Sequence, residues 1–208
     1  RQIPKEAAQN VAFFGELTLD GHIRSCSGIL QFVINCVESG VKKIYIPEGA
    51  EEVLKLISPR ARSQVFSVKH LKALYLQLIG KREEFPAKTP IFKKNVASNS
   101  EISQVYGNQT AKRALQIAIS GGHNILLNGP PGVGKTMLAK AAAQLQTPAT
   151  PQDLLLINRI RSASGLTDIL EKRPFIAPHH STSHIAMVGG GNPLRPGLIS
   201  QASEGILF

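Results

Sequence analysis

The stretch Gly129–Thr136, "GPPGVGKT", constrains this chain more than any other feature. Gly129, Gly134, Lys135 and Thr136 stand in the spacing G-x-x-x-x-G-K-T, with Pro130, Pro131, Gly132 and Val133 between them. A phosphate group needs several N–H donors converging on one point. Glycines let the backbone curl into such a nest because no Cβ collides. A helix starting at Lys135 would aim its orphan amides and the positive end of its dipole at the same oxygens. Lys135 adds a formal charge over the β and γ phosphates, and the Thr136 hydroxyl suits Mg²⁺. The context fits: an apolar strand is expected at Asn124–Asn128, and an alanine-rich helix from Lys135 to about Gln146. The eight residues Gly129, Pro130, Pro131, Gly132, Val133, Gly134, Lys135 and Thr136 are therefore expected to bind ATP. Lys135 is the phosphate contact, and Thr136 reaches Mg²⁺ through the nucleotide.

Hydrolysis asks for more: an acid to hold the metal, and that acid usually closes an apolar strand. Downstream of the loop stand Asp153, Asp168, Glu171 and Glu204, and none follows such a strand. Asp153 precedes "LLLI" and suits a helix start. "GILF" at Gly205–Phe208 reads as the opening of an acid-bearing strand. The expectation is ATP binding without a complete catalytic set. The chain begins at Arg1 and its first methionine is Met137, so it reads as an excerpt of a longer product.

Lys and Arg number 24 against 14 Asp and Glu, a formal net charge of +10, which favours anionic partners such as nucleotide or DNA. The basic residues are scattered, and with no Trp and few other aromatics a base-stacking platform is not visible. Cys26 and Cys36 lack metal-ligand spacing and read as reduced thiols. No run approaches the ~18 apolar residues of a membrane helix. The polar start "RQIPKEAAQN" lacks the apolar core of a signal peptide, so a cytoplasmic location is expected.

The fold class expected is α/β, in three parts: a domain at 1–80, a linker at 81–100 and a second domain at 101–208. In the first, Val11–Leu19 reads as one strand turned by Asp20-Gly21 into a short partner. Leu30, Val33, Ile34 and Val37 mark a helix capped by Gly40. "KKIYIP" is a strand, Val53, Leu54 and Ile57 mark a helix stopped by Pro59, and "QVFSV" is a strand. Leu71, Leu74, Tyr75 and Leu78 mark a helix closed by Gly80. The segment 81–100 is polar, carries two prolines and has no period. In the second domain, Ala111, Leu115, Ala118 and Ile119 give a helix ended by Gly121-Gly122. After the glycine loop, Pro148 and Pro151 interrupt, and a helix runs roughly from Asp153 to Arg161. The rest, rich in Gly and Pro, is expected as loops and a hairpin.

The phrases "YGNQTAKRALQIAISGGHNILLNGPPGVGKTMLAKA", "RPFIAPHH" and "MVGGGNPLRPGLISQASEGILF" resemble AAA+ ATPases of the magnesium-chelatase-like group, ComM/YifB type. The resemblance covers nearly everything from Ile102 to Phe208. It implies a partial P-loop AAA+ domain, with a parallel sheet flanked by helices, and a homo-oligomeric ring, commonly a hexamer. In that group "GILF" leads into the acidic Walker B residues. "FFGELTLDGHIRSCSGIL" and "GVKKIYIP" resemble the Lon-protease-like domain that such proteins carry in front. In active Lon proteases a lysine lies on the helix after the glycine turn, and here that position is Phe32. A phenylalanine cannot take a serine's proton, so proteolysis is not expected. The ComM-like branch implies ATP-driven branch migration of DNA. A magnesium-chelatase subunit and a nucleotide-binding module without catalysis are the alternatives.

His179, His180 and His184 lack a cysteine or carboxylate partner at ligand spacing, so a motif loop near the nucleotide or a subunit contact is preferred to a metal site. Tyr106, Gly107 and Asn108 match a segment that lies beside the adenine in related proteins, while the aromatic could equally be core. Arg173 and Arg195 could reach DNA or a neighbour's phosphate, although ordinary surface arginines are the blander reading.

Overall fold

Parallel strands need a crossover between them, and the first half of the chain supplies helical crossovers. The computed structural model describes residues 3–91 and 105–208. These fall into two units: 3–91 together with Asn158–Ile169, and 105–157 together with Leu170–Phe208. Residues 92–104, which include the second part of the expected linker and the start of the expected second domain, lie outside the described residues. Among the described residues no helix is long and apolar enough to cross a membrane.

The first unit is built on a parallel sheet of β1 (Val11–Phe13), β4 (Lys43–Pro47) and β5 (Val65–Val68), in the order β1-β4-β5. Helix α1 (Ile29–Glu38) crosses from the first strand to the second and buries Leu30, Val33 and Ile34. Ile44, Ile46 and Val65 are fully buried, as expected of a sheet covered on both faces. Helix α3 (Leu71–Leu78) adds Leu74 to a cluster with Tyr45, Phe66 and Val68. The described part of the expected linker has neither helix nor strand, but it is anchored. The Tyr45 hydroxyl donates to Glu84 at 2.7 Å, Lys43 pairs with the same carboxylate, and the Ala87 amide donates to the Val65 carbonyl. Burial, and then the Glu84 carboxylate, pushes the Tyr45 phenol above its ordinary range.

Three expectations in this unit need correction. The single strand at Val11–Leu19 is broken at Gly15: β1 joins the parallel sheet, whereas β2 (Glu16–Leu17) turns back on β3 (Ile23–Arg24) as an antiparallel hairpin. The helix marked by Val53 and Leu54 is a 3₁₀ helix over Glu51–Leu56. Pro59 does not merely stop it but opens the short helix α2 (Pro59–Arg62), where a missing N–H costs nothing at the first position.

In the second unit, α4 (Gln109–Gly121) ends on left-handed Gly122, as its sequence foretells. Helix α5 (Lys135–Gln144) follows the glycine loop, and α6 (Pro151–Ala163), whose residues from Asn158 on are counted with the first unit, begins at Pro151, which starts that helix rather than interrupting the chain. The Gly- and Pro-rich remainder holds the expected hairpin, β7 (Gly189–Gly190) against β8 (Arg195–Pro196). It also holds two short helices, α7 (His184–Val188) and α8 (Leu198–Gln201). The strands β6 (Phe175–Ile176) and β9 (Ile206–Leu207) pair in parallel. The core joins Val105, Leu115, Leu138 and Ala142, with Leu127 and Ile206 packed against it.

The strand expected at Asn124–Asn128 is not formed: this segment makes no ladder, and Leu126 is 89% exposed. An extended segment becomes a strand only when a neighbour accepts its backbone bonds, and among the described residues no strand pairs with it.

The β6–β9 pair depends on a missing side chain. A Cβ at Gly205 would fall far inside van der Waals contact of the Pro174 carbonyl oxygen. Gly205→Ala should therefore cost about 1–3 kcal/mol, the usual range for overpacking. The check is a shift of the denaturant midpoint at unchanged slope.

Candidate phosphate-binding site

A helix leaves its first amides without intrahelical acceptors. In α5 the first helical bond runs from the Leu138 N–H to the Gly134 carbonyl, so the amides of Lys135, Thr136 and Met137 lack a partner within the helix. The residues before them decide where those amides point. Gly132 (φ 83°) and Gly134 (φ 86°) both lie in the left-handed region. Only glycine adopts that region without strain, so the alternation in "GVG" fixes the curl of the loop. The space where their Cβ atoms would stand is open. Below the loop, Leu138, Ala139, Ala141 and Ala142 are buried, which fastens α5 to the core and leaves its N-terminus at the surface.

Lys135 folds back across the loop. Its ammonium donates to the carbonyls of Gly129 at 2.7 Å and Pro130 at 2.8 Å. Gly129, Pro130, Pro131, Gly132, Val133 and Thr136 are exposed, and Gly134 and Lys135 are half-buried. The structure thus brings all eight expected residues into one accessible arch at a helix start. Cationic and N–H groups dominate it, an arrangement suited to an anion.

The downstream acids are committed elsewhere. Asp153 accepts from the Thr150 amide at 2.9 Å while its own amide donates to the Thr150 hydroxyl, a reciprocal cap on α6. The Thr150 amide, and with it the Arg173 guanidinium, holds the Asp153 carboxyl below the usual carboxylate range. Asp168 pairs with Arg161, and Glu204 with Arg173.

Arg173 is the residue that sequence reasoning misjudged. It is neither an outward arginine nor free for DNA: its side chain is 16% exposed. It donates to the Thr147 carbonyl and the Glu204 carbonyl, both at 2.9 Å, and to the Asp153 carboxylate at 2.7 Å. Arg195 is exposed on β8. Tyr106 is 94% exposed, which overturns its reading as core.

The rings of His179 and His180 lie 4.1 Å apart between centroids, tilted by 37°, and the Ser181 amide donates to His179 Nδ1. Among the described residues no group of three or more His, Cys, Asp or Glu side chains is placed to hold a metal ion. In the first unit, Phe32 packs its ring on Phe14 at 4.7 Å. The position where active Lon proteases are expected to carry a lysine therefore serves packing here.

Residues 101–208 match the family described as magnesium chelatase, subunit ChlI, and residues 1–50 match the one described as subunit ChlI of Mg-chelatase. YifB of Escherichia coli K12 is 37% identical over 93% of this chain and 38% of its own length. The competence protein ComM of Haemophilus influenzae is 35% identical over 100% of this chain and 41% of its own. An archaeal Lon protease of Methanothermobacter thermautotrophicus is 42% identical over 31% of this chain and 10% of its own. The chain spans about two-fifths of the length of the curated relatives it matches most fully. It belongs to the magnesium-chelatase ChlI-like family, alongside ComM and YifB.

Proposed function

We propose that this chain is the ATP-binding portion of a ComM-like AAA+ ATPase that works as a homo-oligomeric ring on DNA. The observation that carries the nucleotide part is the arch at Gly132–Thr136, where two left-handed glycines precede a helix start backed by Lys135. A triphosphate would take the unpaired amides of α5 and draw the Lys135 ammonium from the Gly129 and Pro130 carbonyls onto its own oxygens. The Thr136 hydroxyl is exposed and has no hydrogen-bond partner among the described residues, so it would hold Mg²⁺. When bound, that ion offsets negative charge on the phosphates. Asp153, Asp168 and Glu204 are tied up in ion pairs, so they do not serve as the metal-holding acid, and the chain is read as binding rather than turning over ATP.

The DNA part rests on the relationship to ComM and on the net charge of +10. The Lon-like similarity of the first unit favours this reading over a chelatase subunit.

ATP with Mg²⁺ at a hundred times its Kd should stabilise the chain by ~2.7 kcal/mol, read as a raised Tm, and Lys135→Ala should abolish most of that rise. An unmoved melting curve in the parent chain would remove the nucleotide reading. Filter binding to branched DNA at several salt concentrations checks the second part. Affinity should fall linearly on a log–log plot with salt, and absence of binding at low salt contradicts it.

A further inference from the structure

The excursion 174–203, from β6 through the hairpin to α8, leaves the core at Arg173 and returns at Glu204. Arg173 closes its base. One guanidinium edge donates to the Glu204 carbonyl and carboxylate at the returning end. The rest of the guanidinium reaches the Thr147 carbonyl, three residues beyond α5, and the Asp153 carboxylate in the first turn of α6. Glu204 itself is strained into the left-handed region (φ 59°), so its place depends on being held. Immediately after it, the Ile206 amide donates to the Pro174 carbonyl and the Phe208 amide to the Ile176 carbonyl. The Ile206 side chain packs on the cluster that contains Leu138 of α5.

We propose that Arg173 is a positioning residue that couples the phosphate loop to β9, and through it to the base of the excursion. This rests on the nucleotide reading above. The helix that begins at the loop ends three residues before one partner of the guanidinium, and the strand whose Ile206 packs on the cluster that includes Leu138 begins two residues after another. Ordering of α5 by a bound triphosphate is transmitted to β9 because the guanidinium holds both in one bonded frame. Asp153 keeps the frame charged and fixed on α6. Arg173 is not called catalytic, since it touches neither the loop nor its ligand.

Hydrogen exchange of the whole chain, with and without ATP and Mg²⁺, separates coupling from mere support. In the parent chain ATP should slow exchange at Lys135 and Thr136, and also at Ile206 and Phe208. In Arg173→Ala the slowing at the loop should remain while that at Ile206 and Phe208 is lost. Arg173→Lys, which keeps the charge but not the three-way reach, should lose most of it too and stands in if the alanine variant does not fold. A purely structural role would raise exchange at β9 in both states yet leave its response to ATP intact, and that result overturns the proposal. So does a parent chain whose loop responds while β9 does not. If the loop itself shows no response, the nucleotide reading fails first and takes this one with it.

Discussion

Where a helix starts, three or four amides have no acceptor, and the sequence just before it decides whether they are hidden, capped or offered. In α5 they are offered. Gly132 and Gly134 take backbone angles that a Cβ would oppose, and the loop they form leads straight into the exposed start of the helix. The buried face of α5 supplies the counterpart. Its alanines pack close enough to fix the helix, so the arch stands on a rigid base. The contrast with α6 is instructive. There Thr150 and Asp153 each accept the other's amide, and Pro151 between them has no N–H to offer.

The second unit is organised by polar contacts as much as by its core. Arg173 reaches partners 20 to 31 residues away along the chain. A single guanidinium can do this because its donors lie in one rigid plane and point in several directions. The neighbouring Gly205 allows β9 to approach Pro174, so a charge and a missing side chain together define where β9 runs.

How much was legible varies with the range of the forces involved. Helices α1 and α4 could be read from apolar spacing and glycine caps, and α5 from the glycine turn before it and its alanines, because those signals act within a few residues. The glycine loop was legible to the residue, since its conformation is dictated locally. Pro59 and Pro151 were read as breaks because proline ends helices and also begins them, and only the direction of the following chain decides. The segment Asn124–Asn128 has the composition of a strand, but pairing is a property of neighbours that composition does not report. Arg173 escaped for the same reason: a lone arginine in sequence is only a charge, and its three partners meet it through the fold. The one hint was Asp153, whose place before "LLLI" marked it as a cap.

The most direct test is amide NMR of the chain titrated with ATP and Mg²⁺. The largest shifts are expected for the N–H signals of Gly132, Gly134, Lys135 and Thr136, in one saturable process. Shifts that cluster anywhere else, or a spectrum unchanged at millimolar nucleotide, would contradict the account at its foundation.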